Sequence, residues 1–185
     1  MTAKDVPDWS HLPTDPVEAA KTLLGWTLVS TVDGEVTAVK LTEVEAYAGF
    51  SDPASHAYNG ETSRNRTMFL GRGYLYVYLS YGIHHLANVV VGMPENPGAV
   101  LLRGGDPVAG VDVMRRRRGR DDDLTSGPGK LGQALGLSLD HDGIVLGDGP
   151  IDLVPGEPPD RIRVTPRIGI SKAADRPWRF LTDRA

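Results

Sequence analysis

The spacing of apolar residues changes repeatedly along this chain, and the changes mark out its elements. In TDPVEAAKTLLG (residues 14–25) the apolar positions recur at helical spacing. Thr14 or Asp15 stands at the cap, Pro16 in the first turn and Gly25 at the stop, which predicts a short helix. WTLVSTVDGEVTAVKLTEVEAY then alternates on either side of Asp33-Gly34, which predicts a β-hairpin. Residues 53–69 keep no period and read as irregular or short-helical. YLYVYLSYGIHHLANVVVG (residues 74–92) predicts a second hairpin. Tyr74, Tyr76 and Tyr78 fall on one face of its first arm and Leu75, Val77 and Leu79 on the other, with Gly82 at the turn and Tyr81 near the tip. GAVLLRGGDP (98–107) reads as a strand running into a loop, VAGVDVMRRRRG as a helix, and TSGPGKLGQALG as a Gly/Pro-rich loop that becomes a helix ending at Gly136. Short strands and loops follow residue 144. With no internal repeat and no long linker, the pattern predicts one α+β domain over residues 1–185, rich in antiparallel hairpins, with 1–13 as an irregular N-terminal arm.

Composition narrows this picture. A chain of 185 residues, 40% hydrophobic and 24% charged, suits a single globular domain. It has no cysteine, which removes disulfides and thiolate metal sites. No stretch has the length and apolarity of a membrane span, and the N-terminus lacks the apolar core of a secretory signal, so a cytoplasmic protein is expected. The histidines form no metal-binding motif, so no metal is expected. The net charge of −4 argues weakly against a nucleic-acid partner, but the charge is unevenly spread. Residues 64–130 hold ten Lys/Arg against six Asp/Glu, and residues 161–185 seven against two. A basic middle and tail on an acidic body can form a local phosphate-binding face.

Candidate chemistry gathers in two places. Strict alternation puts Glu43, Glu45 and Tyr47 on the face that carries Val39 and Leu41, with the two carboxylates' Cα atoms about 6.5–7 Å apart. Such a pair serves acid–base chemistry at a glycosidic carbon, one of its pKa values rising; an exposed edge strand with acidic gatekeepers would show the same pattern. All six tyrosines lie within residues 47–81. Tyrosine has a flat face for stacking and a polar handle, and aromatics beside basic residues hold unstacked bases. Arg64 and Arg66 precede the second hairpin. Arg103 ends a buried-looking strand and needs a carboxylate or phosphate partner. SGPGKLGQ lacks Walker spacing but leads into a helix, with Lys130 adding charge for one phosphate. RRRRG (115–119) reads as a solvated helix face.

The blocks TEVEAYAGFSDPASH, RNRTMF, GYLYVYLSYGIHHLANVV, AVLLRGGDPVAG, LTSGPGKLGQALG and PRIGISKAADRPWRF occur in one order over residues 42–180, within a likeness that runs from about residue 15 to 181. Together they resemble the alkyladenine (3-methyladenine) DNA glycosylase family. The resemblance implies a monomeric domain with a curved antiparallel sheet, surrounding short helices and a protruding hairpin that enters the DNA minor groove. It implies Glu45 as general base, with Arg103 near the catalytic water and a flanking phosphate. Tyr47 would form one wall of the base pocket and His56 and Tyr78 the other, with Asn88 excluding the guanine 2-amino group and Tyr81 intercalating. The substrate would be duplex DNA carrying alkylated or deaminated purines such as 3-methyladenine, hypoxanthine or ethenoadenine. The product would be an abasic site. No cofactor is implied, and no lysine adjoins Glu45 in sequence to support lyase chemistry. A bacterial cytoplasmic protein, associated with the nucleoid through DNA, is expected. Two further classes remain open at this point: a small-molecule nucleoside or glycoside hydrolase using Glu43 with Glu45, and a non-catalytic module that binds damaged DNA.

Overall fold

The computed structural model describes residues 8–183. The first seven residues of the expected N-terminal arm lie outside them. Residues 8–13 form turns and bends, yet Trp9 and Leu12 are buried in the core, so this part of the arm is packed down.

The described elements are α1 (Pro16–Leu23), β1 (Thr27–Ser30), β2 (Thr37–Tyr47), β3 (Leu75–Ser80), β4 (His84–Val90), β5 (Ala99–Ala109), α2 (Val111–Arg118), α3 (Pro128–Ala134), β6 (Ile151–Val154), β7 (Ile162–Thr165) and β8 (Arg179–Thr182). Asp15 caps α1 by accepting from the Val17 and Glu18 amides. The Asp33-Gly34 turn joins β1 to β2, with both residues at positive φ. The expected helix over 108–119 is shorter at its start, because β5 continues through Pro107 and Val108 to Ala109 before α2 begins.

All strands belong to one curled antiparallel sheet in the order β3-β4-β5-β2-β1-β6, with β8 joining β2 to β7. Strand β2 pairs with β5 along its length. On its other edge it changes partner, from β1 at residues 37–40 to β8 at 43–45.

That change of partner coincides with a break in the pleat. The β2–β5 register shifts between Leu41 and Glu43 and again between Glu43 and Val44. Gly105, opposite Leu41, allows the close approach, since a Cβ there would sit 2.1 Å from the Lys40 carbonyl oxygen. Val39, Leu41, Val44 and Ala46 all join one hydrophobic core. The expectation that Glu43, Glu45 and Tyr47 share a face with Val39 and Leu41 is therefore corrected. The kink moves the core-facing positions from odd to even numbers and turns the two carboxylates to the opposite face.

The core-facing side of the sheet packs on α1 through Ala19, Ala20 and Leu23, on α2 through Met114, and on α3 through Leu131 and Ala134. On the other side a smaller cluster of Ala57, Met68, Tyr76, Val90 and Ala99 seats the irregular segment 53–69. Among the described residues no helix is long and apolar enough to cross a membrane.

Candidate active site

Strand alternation builds the site. Tyr76 and Tyr78 of β3, Leu86 and Asn88 of β4, Leu101 and Arg103 of β5, and Tyr47 of β2 point to the sheet face away from the helices. They line a cleft of about 760 Å³, with His56 and Met68 from the irregular segment and Ile168 from the loop after β7. The intervening Val77, Ala87, Val89, Leu102 and Ala46 sit in the core.

Glu45 is fully buried and is not itself among the cleft-lining residues; it lies directly under Tyr47, Arg103 and Ile168, which are, and which form the floor above it. Its Oε2 accepts the Tyr47 hydroxyl at 2.8 Å, and its Oε1 accepts the Ile168 backbone amide at 2.8 Å and lies 3.3 Å from Nη1 of Arg103. Donors on both oxygens fix the carboxylate's orientation. Glu43, two residues earlier, has different neighbours. Its Oε1 accepts Nε of Arg103 at 2.8 Å and Nε of Arg179 at 2.7 Å. Burial alone would raise the Glu43 pKa, but Arg179 and Arg103 outweigh it and hold the carboxyl below its ordinary range. The rise expected of such a pair therefore does not fall on Glu43.

The aromatic wall is interlocked. The His56 and Tyr78 rings meet edge-on at 4.6 Å, and Tyr76 lies 5.5 Å from Tyr78. Tyr76, read from sequence as sheet packing, is buried, and its hydroxyl also lies 2.8 Å from Nδ1 of His56. Burial, then the Glu45 charge, push the Tyr78 phenol up to about 12 and the Tyr47 phenol higher still. Both are therefore neutral hydrogen-bond groups at neutral pH. The His56 pKa is lowered by burial against the wall and then by Arg64, so an uncharged imidazole faces the cleft. Asn88 is buried, and its amide donates to the Tyr76 carbonyl at 3.2 Å.

The rim is basic and carries the hairpin tip. Tyr81 is 91% exposed at φ 51°, and Ile83 is 71% exposed. Arg64 lines the cleft, donates to the Leu79 carbonyl at 3.3 Å and lies 5.9 Å from the Tyr78 ring. Lys130 also lines the cleft, paired with Asp123. Arg66 is not among the cleft-lining residues: it is 72% exposed and lies 3.9 Å from Glu61. The RRRR run is more than a solvated face. Arg116 pairs with Glu35, Arg117 caps the Val32 and Ala134 carbonyls, and Arg118 reaches Gln133 at the cleft edge.

Sequence reasoning missed three supports. Asn65, between Arg64 and Arg66, is buried; it donates to the His56 and Gly60 carbonyls and accepts from Thr62, pinning the loop that carries His56. Arg179 completes the Glu43 bridge. Asp52 and Arg167 form a fully buried ion pair behind Tyr47. The signals were present in RNR and PRIGI, but no local pattern says which polar residue turns inward.

Fold and site together define an α+β domain whose cleft is walled by aromatic rings, with a locked carboxylate directly under its lining. The family model described as methylpurine-DNA glycosylase matches residues 10–185. A Nocardia farcinica protein is 50% identical over 182 residues, 92% of this chain and 84% of its own. A Methanoculleus marisnigri protein is 49% identical over 173 residues, 90% and 89% of the two chains. A Chlorobaculum tepidum protein is 46% identical over 177 residues, 93% and 84%. Each is named as a candidate 3-methyladenine DNA glycosylase. This chain belongs to the methylpurine-DNA glycosylase family, whose work is DNA repair by base excision.

Proposed function

We propose that the protein, acting as a monomer, flips alkylated or deaminated purines of the 3-methyladenine, hypoxanthine and ethenoadenine types out of duplex DNA and hydrolyses their N-glycosidic bond. The observation that carries this reading is the buried Glu45 carboxylate, oriented by Tyr47, the Ile168 amide and Arg103 directly under the lining of an aromatic cleft.

Extruding a nucleotide costs a few kcal/mol, and less when the base is damaged and stacks poorly. Tyr81 fills the space left in the duplex. The base enters between Tyr47 and the His56/Tyr78 wall, where stacking on electron-rich rings favours a cationic alkylpurine by about 0.5–2 kcal/mol. Asn88 meets the base edge and disfavours a guanine 2-amino group. Glu45 takes a proton from water as it attacks C1′, and its charge stabilises the oxocarbenium-like transition state. Arg103, held by Glu43, orients that water or the neighbouring phosphate. Arg64 and Lys130 contribute positive charge to the phosphate track, and Arg66 adds charge further out. The lysine that lines the cleft, Lys130, is paired with Asp123, so hydrolysis without strand cleavage is expected. The products are the free base and an abasic site.

Glu43 argues against a small-molecule hydrolase built on an acid–base pair. Bridged between two arginines and held at low pKa, it has no proton to give near neutrality. The locked Glu45 argues against a purely binding module.

Single-turnover base release from a duplex with one deoxyinosine or ethenoadenine tests the reading. Wild type is expected to release base. Glu45→Gln is expected to lose release by about 10²- to 10⁴-fold while lesion binding is kept. No release by wild type from either lesion, or from methylated DNA, overturns the enzymatic reading.

A further inference from the structure

Glu45 and Tyr47 are neighbours on one strand, and their alignment depends on what stands behind it. Behind it is Arg167. Its side chain is fully buried, as is that of Asp52, and the two are joined by both guanidinium nitrogens, Nη1 to Oδ2 and Nη2 to Oδ1, the latter at 2.8 Å. Nη1 also donates at 3.0 Å to the carbonyl of Ala46, the residue between Glu45 and Tyr47. The guanidinium carbon lies 4.6 Å from the centre of the Tyr47 ring and 5.2 Å from that of Trp178. The next residue along the chain is Ile168, whose amide holds Glu45 Oε1. One side chain thus touches the floor strand between the two site residues, backs one of them, and anchors the loop that orients the other.

A buried ion pair is a poor device for stability alone, since an apolar pair of similar volume often does as well. What this one adds is direction, because a planar fork fixes several partners at once. Arg167 does not line the cleft, and its terminal nitrogens are taken up by Asp52 and by the Ala46 and Ala173 carbonyls, so it acts through others. We propose that Arg167, locked to Asp52, is a positioning residue that sets Glu45 and Tyr47 in the alignment base release requires, and that it does so by the geometry of its fork rather than by its charge. This rests on the glycosylase reading above.

Lysine separates the two ideas. It restores a charge beside Asp52, but its single ammonium cannot serve Asp52 and the Ala46 carbonyl as a planar fork or lie flat behind Tyr47. Arg167→Lys and Arg167→Met are compared with wild type by thermal melting, by binding to a lesion duplex, and by single-turnover base release with enzyme in excess. The last measurement reads the folded molecules only. Arg167→Lys is expected to recover much of the melting temperature lost in Arg167→Met. Its release rate constant is expected to stay about tenfold to a hundredfold below wild type, with the dissociation constant for lesion duplex within about twofold. A rate constant for Arg167→Lys within about twofold of wild type overturns the proposal. If neither single variant folds, Asp52→Asn combined with Arg167→Gln, which leaves no unpaired buried charge, is judged by the same rate criterion. A wild type that releases no base refutes the glycosylase reading, and this proposal with it. A wild type that releases base beside an equally fast Arg167→Lys refutes only the proposal.

Discussion

The floor of the cleft and the tip of the β3–β4 hairpin are built on opposite terms. At the floor, Glu45 is wholly buried and both its oxygens are occupied. Strand β2 has neighbours on both edges, and Arg103, Arg167 and Arg179 brace it through carboxylates and a carbonyl. At the tip, Tyr81 is almost fully exposed and sits in a left-handed conformation that costs a non-glycine residue about 1–2 kcal/mol. The floor uses the stability of the fold to hold its polar groups still. The tip departs from the backbone's minimum and holds a ring out in solvent. Under the proposed reaction, such a site would keep its chemistry in the rigid sheet and its contact with the duplex in a feature the core does not need.

The largest way to disturb this contrast is at the floor. Glu43→Gln removes the carboxylate shared by the largely buried Arg103 and Arg179, leaving Arg103 only the more distant Glu45, and a loss of about 2–4 kcal/mol in stability is expected. Denaturant unfolding checks this, and a midpoint equal to wild type would show that the floor is not braced through Glu43. Changes at the tip should act the other way. Tyr81→Ala is expected to lower base release at limiting enzyme about tenfold while leaving the melting temperature within about 1 °C of wild type. Tyr81→Gly is expected to release base as poorly, yet to be about 1 kcal/mol more stable than Tyr81→Ala because glycine accepts the positive φ. A large stability loss in Tyr81→Ala would erase the distinction between tip and floor.

The smallest effect concerns acid. Glu43 and Asp52 are both held below the ordinary carboxylate range. For each, burial opposes ionisation and is outweighed, by Arg179 and Arg103 for Glu43 and chiefly by Arg167 for Asp52. Such groups contribute stability above their unfolded pKa, about 4, and lose it as pH falls through the lower folded value. The melting temperature should therefore level off above about pH 5 and fall below about pH 4. The slope should be shallower in Glu43→Gln, and melting curves recorded across that range check it.

Both hairpins and their turns were legible in the chain, because Asp33-Gly34 and Tyr81-Gly82 are local signals that need no tertiary context. The alternation that puts Tyr76 and Tyr78 on the cleft face was equally local. The face of Glu43 and Glu45 was not. The register of β2 against β5, nearly sixty residues away in sequence, decides where the pleat breaks. The same holds for Asp52 and Arg167. An aspartate in a Ser-Asp-Pro turn and an arginine before Ile-Gly-Ile both look like surface residues, and only the closing of the sheet buries them together. The different places of Arg64 and Arg66 have a related cause: Arg64 lines the cleft, whereas the side chain of Arg66, at the start of a short helical turn, is exposed outside it.

The interlocked rings have an optical consequence. Tyr76, Tyr78 and His56 lie within about 6 Å of one another, and Trp178 sits with the Arg167 and Arg176 guanidinium groups 5.2 and 4.6 Å from its ring. A purine sliding into the cleft would lie among the tyrosines that line it, Tyr47, Tyr76 and Tyr78, and draw off their excitation by stacking. Occupancy of the slot should then be readable from the protein's own ultraviolet emission, without a label on either molecule.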